Sequence, residues 1–509
     1  MRNALFAVLL AAAPLAAQTV PLVERTLPNG LRVLLVERHN QPSIACGWVA
    51  RAGSANETAG TTGMAHLFEH MMFKGTDTIG TRNAARDREL NALQDRARAG
   101  IRQEVDRLRE RQRRGELLSL EDPSARSPRH QELLDEFNRL VAEQRGLVVK
   151  DELPKLYDEM GATDLNANTT PDRTFFHITV PANKLELWAW LESDRLKNAV
   201  FREFYSERDV VLEERRQRTD GAPAGRIMEA FAALSWEALP YRWPVIGWPS
   251  DITQITREQA DTFYATYYAP NNLSLILVGD FRTEEAFALV ERYFGRLVPN
   301  PAGVPPVLTT EPLQVAEQRL VAEADASPML RVSYKTVPGV HRDAPALQVL
   351  AGVLNGASGR LHRTLVLHDQ AALSVRAGAF GMRYGGSFNV MAEPAPGRGP
   401  ADLEPALYRE LESLRTGGVT EEELTRVKNQ AQVALFRMLE NNAGLRYALA
   451  EAEGMGTAAD LLDAPRRLRE VTRDDVIRVA RTYLSPENRT VLLLSRKKAP
   501  GGPQPVEVK

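Results

Sequence analysis

One segment of this chain occurs twice. Ile255-Thr256-Arg257 through Tyr267, Pro270, Asn272 and the apolar run Leu273 to Val278 align without a gap on Val471-Thr472-Arg473 through Tyr483, Pro486, Asn488 and Arg489 to Leu494, at a constant offset of 216 positions. A helix, a proline turn and a strand recurring at domain-scale spacing imply two homologous halves that each mix helices with a sheet, not a solenoid. The proline-rich stretch Val298-Pro299-Asn300-Pro301 to Val304-Pro305-Pro306 is the natural linker between them. The expected fold is α+β, with two homologous αβ-sandwich domains at 18–297 and 314–497, a linker at 298–313 and a flexible tail at 498–509.

The first half opens as β text. Glu24-Arg25-Thr26-Leu27 leads through the hairpin turn Pro28-Asn29-Gly30 into Leu31 to Val36, and a third strand around Ser43 to Ala50 is expected to close a meander. Between about 84 and 150 the text turns into long charged helices. Leu90, Leu93, Ala97, Ile101, Val105 and Leu108 recur at three- and four-residue steps, and Leu133, Leu134, Phe137, Leu140 and Val141 resume the pattern after a Gly/Pro break. The reading is an inserted antiparallel helical hairpin with about thirty residues, or roughly 45 Å, per helix. Two paired strands are expected at Leu165 to Thr170 and Arg173 to Val180, with helices following.

Ahead of the insertion stands Gly63-Met64-Ala65-His66-Leu67-Phe68-Glu69-His70-Met71-Met72-Phe73. On a helix, His66 and His70 lie one turn apart on one face and can reach a single zinc ion, which suits neutral imidazoles. Glu69 borders that face, where a carboxylate can take a proton from a water acidified by the metal. This is H-x-x-E-H, the inverse of the common H-E-x-x-H order and itself a signature of zinc peptidases. Further on, Glu207 and Glu214 are two helical turns apart and share a face; taken alone, their charged surroundings read as a solvated helix.

The chain has 509 residues, 43% hydrophobic content and 64 basic against 66 acidic residues, a balance that offers nothing to nucleic acid. Met1-Arg2-Asn3, the apolar Ala4 to Ala17 and Gln18 have the parts of a secretory signal, with residues 1–17 expected to be cleaved. The apolar run is too short for a good membrane span, so no span is expected after cleavage, and the expected location is periplasmic or secreted. The single cysteine, Cys46, excludes an intrachain disulfide.

His66 to Thr76, Leu165-Asn166-Ala167 and Glu207-Arg208-Asp209-Val210-Val211-Leu212-Glu213-Glu214 together closely resemble the pitrilysin/insulinase family of zinc peptidases, in its bacterial two-domain branch. The resemblance covers nearly the whole mature chain. It implies Zn2+ as cofactor, with Glu214 as third ligand beside His66 and His70, Glu69 as general base, and Glu207 supporting the ligands. It also implies half of a clamshell in which peptides add to a sheet edge at Asn166 and Ala167. The step from His70 to Glu214 is roughly twice the family's usual one, and the helical insertion accounts for the excess.

A second departure concerns the other half. Active members usually carry there an arginine and, seven residues later, a tyrosine that reach the substrate carbonyl. In Leu365 to Val375, expected to be helical, those positions hold Val366 and Leu373, which have no side-chain donor. Arg376, Arg383 and Tyr384 are the nearby groups that could substitute. The resemblance thus implies an exported zinc endopeptidase acting on peptides or unfolded segments as the catalytic subunit of a heterodimer, with a homologous partner supplying the arginine and tyrosine. The alternative is a catalytically silent scaffold or binding subunit, against which the intact His66, Glu69, His70 and Glu214 set argues.

Overall fold

The computed structural model describes residues 20–120 and 122–497; the expected signal (1–17) and tail (498–509) lie outside the described residues. Eleven strands form two sheets among the described residues. The first has the order β1(Leu22–Thr26), β2(Arg32–Glu37), β6(Leu273–Gly279), β3(Ser43–Ala50), β5(Thr174–Pro181), β4(Thr163–Thr169). The second has the order β7(Gln318–Ala324), β11(Arg489–Arg496), β8(Met329–Thr336), β10(Gly386–Pro394), β9(Ala372–Gly381). Apart from β1, the two orders correspond strand for strand, as expected of two homologous halves.

The meander expected of the first three strands does not form. β6 runs between β2 and β3, parallel to the former (Val33 opposite Leu275) and antiparallel to the latter (Trp48 opposite Leu275). Every residue of β6, Leu-Ser-Leu-Ile-Leu-Val-Gly, is buried, so it needs ladder partners on both edges and apolar cover on both faces. β4 is left at the edge of the sheet.

The internal repeat is visible as matching structure. Helix α6 (Arg257–Tyr267) and helix α8 (Arg473–Tyr483) each begin in a capping box, Thr256 with Gln259 and Thr472 with Asp475, and each leads through a proline turn into a central strand. A further pair of helices stands at nearly the same offset. Helix α7 (Asn442–Met455), from the second half of the chain, covers the first sheet, with Leu445, Leu449 and Ala450 against Leu34, Val36, Val49, Phe175 and Ile276. Helix α5 (Gly225–Ser235), from the first half, covers the second sheet, with Phe231 against Leu492 and Leu494. Each half thus lends the other the helix that covers one face of its sheet. On the opposite face of the first sheet, Val33, Leu35, Ile44, Cys46 and Trp48 pack with Leu67, Phe68 and Met71 of helix α1 (Met64–Met71).

The insertion is a helical hairpin of unequal arms, helix α2 (Ala84–Arg113) and the shorter helix α3 (Pro128–Leu147), of 30 and 20 residues where about thirty each was expected. The break around 115–127 holds Gly115 and Pro123, and Pro128 opens the shorter second arm. Its root is a buried polar network. Gln144 Nε2 donates to Asp87 Oδ1 (2.7 Å) and Asn91 Oδ1 (2.8 Å), and the fully buried Arg202 donates through Nε to Asp87 Oδ2 (2.6 Å) and through its other nitrogens to the carbonyls of Lys74, Thr76 and Ile79.

Candidate metal centre and peptide edge

Helix α1 starts where the chain demands glycine. Gly63 has φ +91°, and a Cβ there would lie 2.6 Å from the Ile246 carbonyl oxygen. The buried Glu57 carboxylate accepts from the N–H groups of Gly63 and Ala65, satisfying donors at the helix start. Met64, Ala65, Leu67, Phe68 and Met71 are buried, which fixes the rotation of the helix and turns His66, Glu69 and His70 toward helix α4 (Phe204–Arg215) and strand β4.

There the structure brings three donors together. Ligand-type atoms of His66, His70 and Glu214 all lie within 4.8 Å of one another. Glu214 Oε2 is 3.3 Å from His70 Nε2 and 3.7 Å from His66 Nε2. Two imidazole nitrogens and a carboxylate oxygen converging on one point are the donor set of a three-ligand zinc site. Burial, the neighbouring His70 and Arg218 push His66 down to about 3, so it is a neutral imidazole with a lone pair to give, whereas at His70 burial is outweighed by the carboxylates of Glu207, Glu214 and Glu69, which raise it. His66 Nε2, His70 Nε2 and the Glu214 carboxylate therefore fit a zinc ion.

Glu207, from the same face of α4, lies with Oε1 2.9 Å from His70 Nδ1 and Oε2 2.6 Å from Lys74 Nζ. Glu69 sits beside the donors but outside their set. Its carboxylate accepts from the Thr169 hydroxyl (2.7 Å), and burial raises its pKa, which strengthens it as a base. Thr169 on β4, Lys74 after α1, and Arg218, which pairs with Glu214 one helical turn on, were not singled out from the sequence. Lys74 stands inside the conspicuous stretch His66 to Thr76, and Arg218 at the i+4 position from Glu214, so each had a readable signal; Thr169 had none before the strands were paired.

Asn166 and Ala167 lie on the edge strand. Ala167 is opposite Phe176 in the β4–β5 ladder, its side chain packed in the core under α1. Its N–H donates to the Asn166 side-chain Oδ1 (2.9 Å) and not to β5, so it faces the open side of the edge. A cavity of about 950 Å3 opens from this point, lined by Glu69, His70, Phe73, Asn166, Ala167 and Val210 together with the root of the helical hairpin at 145–154.

In the second half, the stretch expected to be one helix is divided. A π-helical segment ends at His368 and strand β9 begins at Ala372, so Val366 and Leu373 lie on different elements. Gln370 between them has φ +49°, outside helical geometry, which is the local reason for the break. Val366 packs on the second core and Leu373 is 55% exposed. Arg383 and Tyr384 form the β9–β10 turn and are held through their backbone: Arg383 N–H donates to Asp172 Oδ2 and Tyr384 N–H to the Tyr241 hydroxyl, both at 2.9 Å. Arg376 is exposed on the edge strand β9. None of the three has a hydrogen bond or ion pair to His66, Glu69, His70 or Glu214.

A family model described as Insulinase (Peptidase family M16) matches residues 32–100, and one described as Peptidase M16 inactive domain matches residues 254–431. The zinc protease PqqE of Helicobacter pylori is 27% identical over 488 residues, covering 92% of this chain and 91% of that protein. The probable mitochondrial-processing peptidase subunit beta of Arabidopsis thaliana is 23% identical, over 90% of this chain and 75% of that protein. Among solved structures, a protease from Helicobacter pylori superposes with a TM-score of 0.74 at 24% identity, over 94% of this chain and 99% of that one, a likeness of fold.

Proposed function

We propose that this chain, which belongs to the pitrilysin/insulinase family of peptidases, is an exported zinc-dependent endopeptidase and the catalytic subunit of a heterodimer. The observation that carries the reading is the convergence of His66, His70 and Glu214 within 4.8 Å, with Glu69 beside them but free of them. Bound there, zinc would supply a Lewis acid that acidifies water and polarises a carbonyl.

The residues of the chain do the rest. His66 and His70 would hold the metal through Nε2 and Glu214 through its carboxylate. Glu207 fixes the His70 tautomer by accepting at Nδ1, and Lys74 keeps Glu207 ionised and in place. Glu69 takes the proton of the attacking water and hands it to the leaving amine, so no side chain is acylated. A peptide lies along β4 as an added strand, its main chain paired at Asn166 and Ala167, which gives affinity with weak sequence preference. Substrates are accordingly peptides or unfolded segments.

The heterodimer follows from the second half. Val366 and Leu373 offer no hydrogen-bond donor to an oxyanion, and none of Arg376, Arg383 and Tyr384 has a hydrogen bond or ion pair to His66, Glu69, His70 or Glu214. A homologous chain would supply the arginine and tyrosine; one relative carries the word subunit in its name. The N-terminal residues support export to the periplasm or beyond, with domains at 18–297 and 314–497. Among the described residues no helix is long and apolar enough to cross a membrane. The test is to incubate the purified chain, alone and with candidate homologous partners, with a peptide mixture and map the cuts. Cuts that require both chain and zinc support the reading; a zinc-loaded chain that cuts nothing with any partner contradicts it.

A further inference from the structure

Resting on the peptidase reading above, the edge strand itself carries a further assignment. Residues 164–168 of β4 enclose Asn166 and Ala167, and both ends of that segment are tied by buried arginines to helix α7, which belongs to the other half of the chain. At one end β4 has a bulge. Thr163 is opposite Thr179 and Asn166 opposite His177, so β4 carries one residue more than β5, and Asp164 in the bulge has φ +60°. Arg446 of α7, 2% exposed, donates through Nη2 to Asp164 Oδ2 (2.8 Å) and through Nη1 to the Ile178 carbonyl (3.0 Å), with Nη2 also 3.1 Å from His177 Nδ1. It therefore grips both strands across the bulge.

At the other end, Arg173, 1% exposed, donates through Nη1 to Asn168 Oδ1 (2.7 Å). Its Nη2 is paired with Glu451 of α7 and lies 3.5 Å from the Tyr447 hydroxyl. Gly454 on the same helix makes room for it, since a Cβ there would meet Arg173 Cδ at 2.7 Å. Asp164 and Asn168 thus bracket the two residues that would pair with a peptide, and both links lead to one helix.

We propose that Arg446 and Arg173 are positioning residues for peptide binding, holding β4 as the pre-formed half of an antiparallel pair with the Ala167 N–H turned outward. Bulges re-aim a strand and end its pairing, so fixing this one sets which groups of the edge a peptide meets. An edge strand lacks a second neighbour, and here α7 restrains it in place of one.

The test uses the full chain carrying Glu69→Gln, so that a labelled unstructured peptide is bound without turnover, and measures Kd by fluorescence anisotropy. Two mild substitutions weaken the links without removing a buried arginine. Asp164→Asn keeps size and tolerance of positive φ while removing the charge, and Asn168→Ala removes the acceptor for Arg173. Each is expected to raise Kd several-fold and the two together about tenfold or more, with zinc content and melting midpoint unchanged. A double variant that binds as tightly as its parent overturns the proposal, as does a loss of binding matched by loss of zinc or of thermal stability. If the parent binds no peptide and the unsubstituted chain cuts none even with a homologous partner present, the peptidase reading itself falls, and this inference with it.

Discussion

His70 Nδ1 lies 2.9 Å from Glu207 Oε1, and that contact decides which nitrogen of His70 is free to bind metal. With its Nδ1–H donated to a carboxylate, the ring presents a lone pair at Nε2 toward Glu214 and His66. Glu207→Gln is expected to leave the fold intact and weaken zinc affinity about 10- to 100-fold, read by competition with a metal chelator. Unchanged affinity would remove Glu207 from the metal centre.

The helical hairpin is joined to the site by its root and not by its tip. Asp87 pairs with the buried Arg202, while Tyr205 OH donates to Asp95 (2.7 Å) and Phe137 packs edge-on to Tyr205 at 5.5 Å. Replacing residues 102–132 by a short Gly-Ser turn should therefore preserve stability and zinc content. Asp87→Ala should instead destabilise the chain by about 3–5 kcal/mol, because it strands a buried guanidinium. Chemical denaturation of the two variants separates these outcomes.

In the second half, Arg360 donates through Nε and Nη2 to the two oxygens of Glu423 at 2.8 and 2.7 Å. Arg360, with the Thr420 N–H assisting, pulls Glu423 down to about 2. A carboxylate lowered by folding stabilises the native state above its unfolded pKa, about 4.3, and that contribution disappears as pH falls toward 2. The stability difference between the parent and Glu423→Gln should accordingly be present at pH 7 and shrink between pH 4 and pH 2. A difference that persists unchanged to pH 2 would mean the ion pair is not its source.

Turnover by the isolated chain should be slow, since removing one oxyanion donor from a comparable site costs on the order of a hundredfold or more. Addition of a homologous chain that carries the arginine and tyrosine should raise the peptide cleavage rate by at least that factor. Full activity from a demonstrated monomer or homodimer would contradict the heterodimer.

Local signals made much of this readable in advance. The repeat at 216 positions forecast two like halves, and the apolar positions of the charged stretch forecast the hairpin, because both depend on spacing along one element. The position of β6 between β2 and β3 was not readable: a meander is the shortest connection, and only burial of β6 on both sides rules it out. The exchange of covering helices escaped for a similar reason, since the apolar faces of α5 and α7 do not say which sheet they will meet. At the site, the spacing of His66, Glu69 and His70 put them on one turn of helix, whereas the placing of Glu207 and Glu214 opposite them rested on resemblance. Thr169 and the arginine links to β4 depend on contacts between segments 100 to 282 residues apart and have no local signature.

His66, His70 and Glu214 are expected to bind zinc, with Glu69 as the base beside it. The direct measurement is the zinc content of purified protein together with peptide cleavage in the presence of the partner, for the parent, His70→Ala, Glu214→Gln and Glu69→Gln. The expected result is about one zinc per chain in the parent, loss of metal in the two ligand variants, and in Glu69→Gln full metal with cleavage reduced about a hundredfold or more. A Glu69→Gln chain that cleaves at the parent's rate, or ligand variants that keep their zinc, would contradict it.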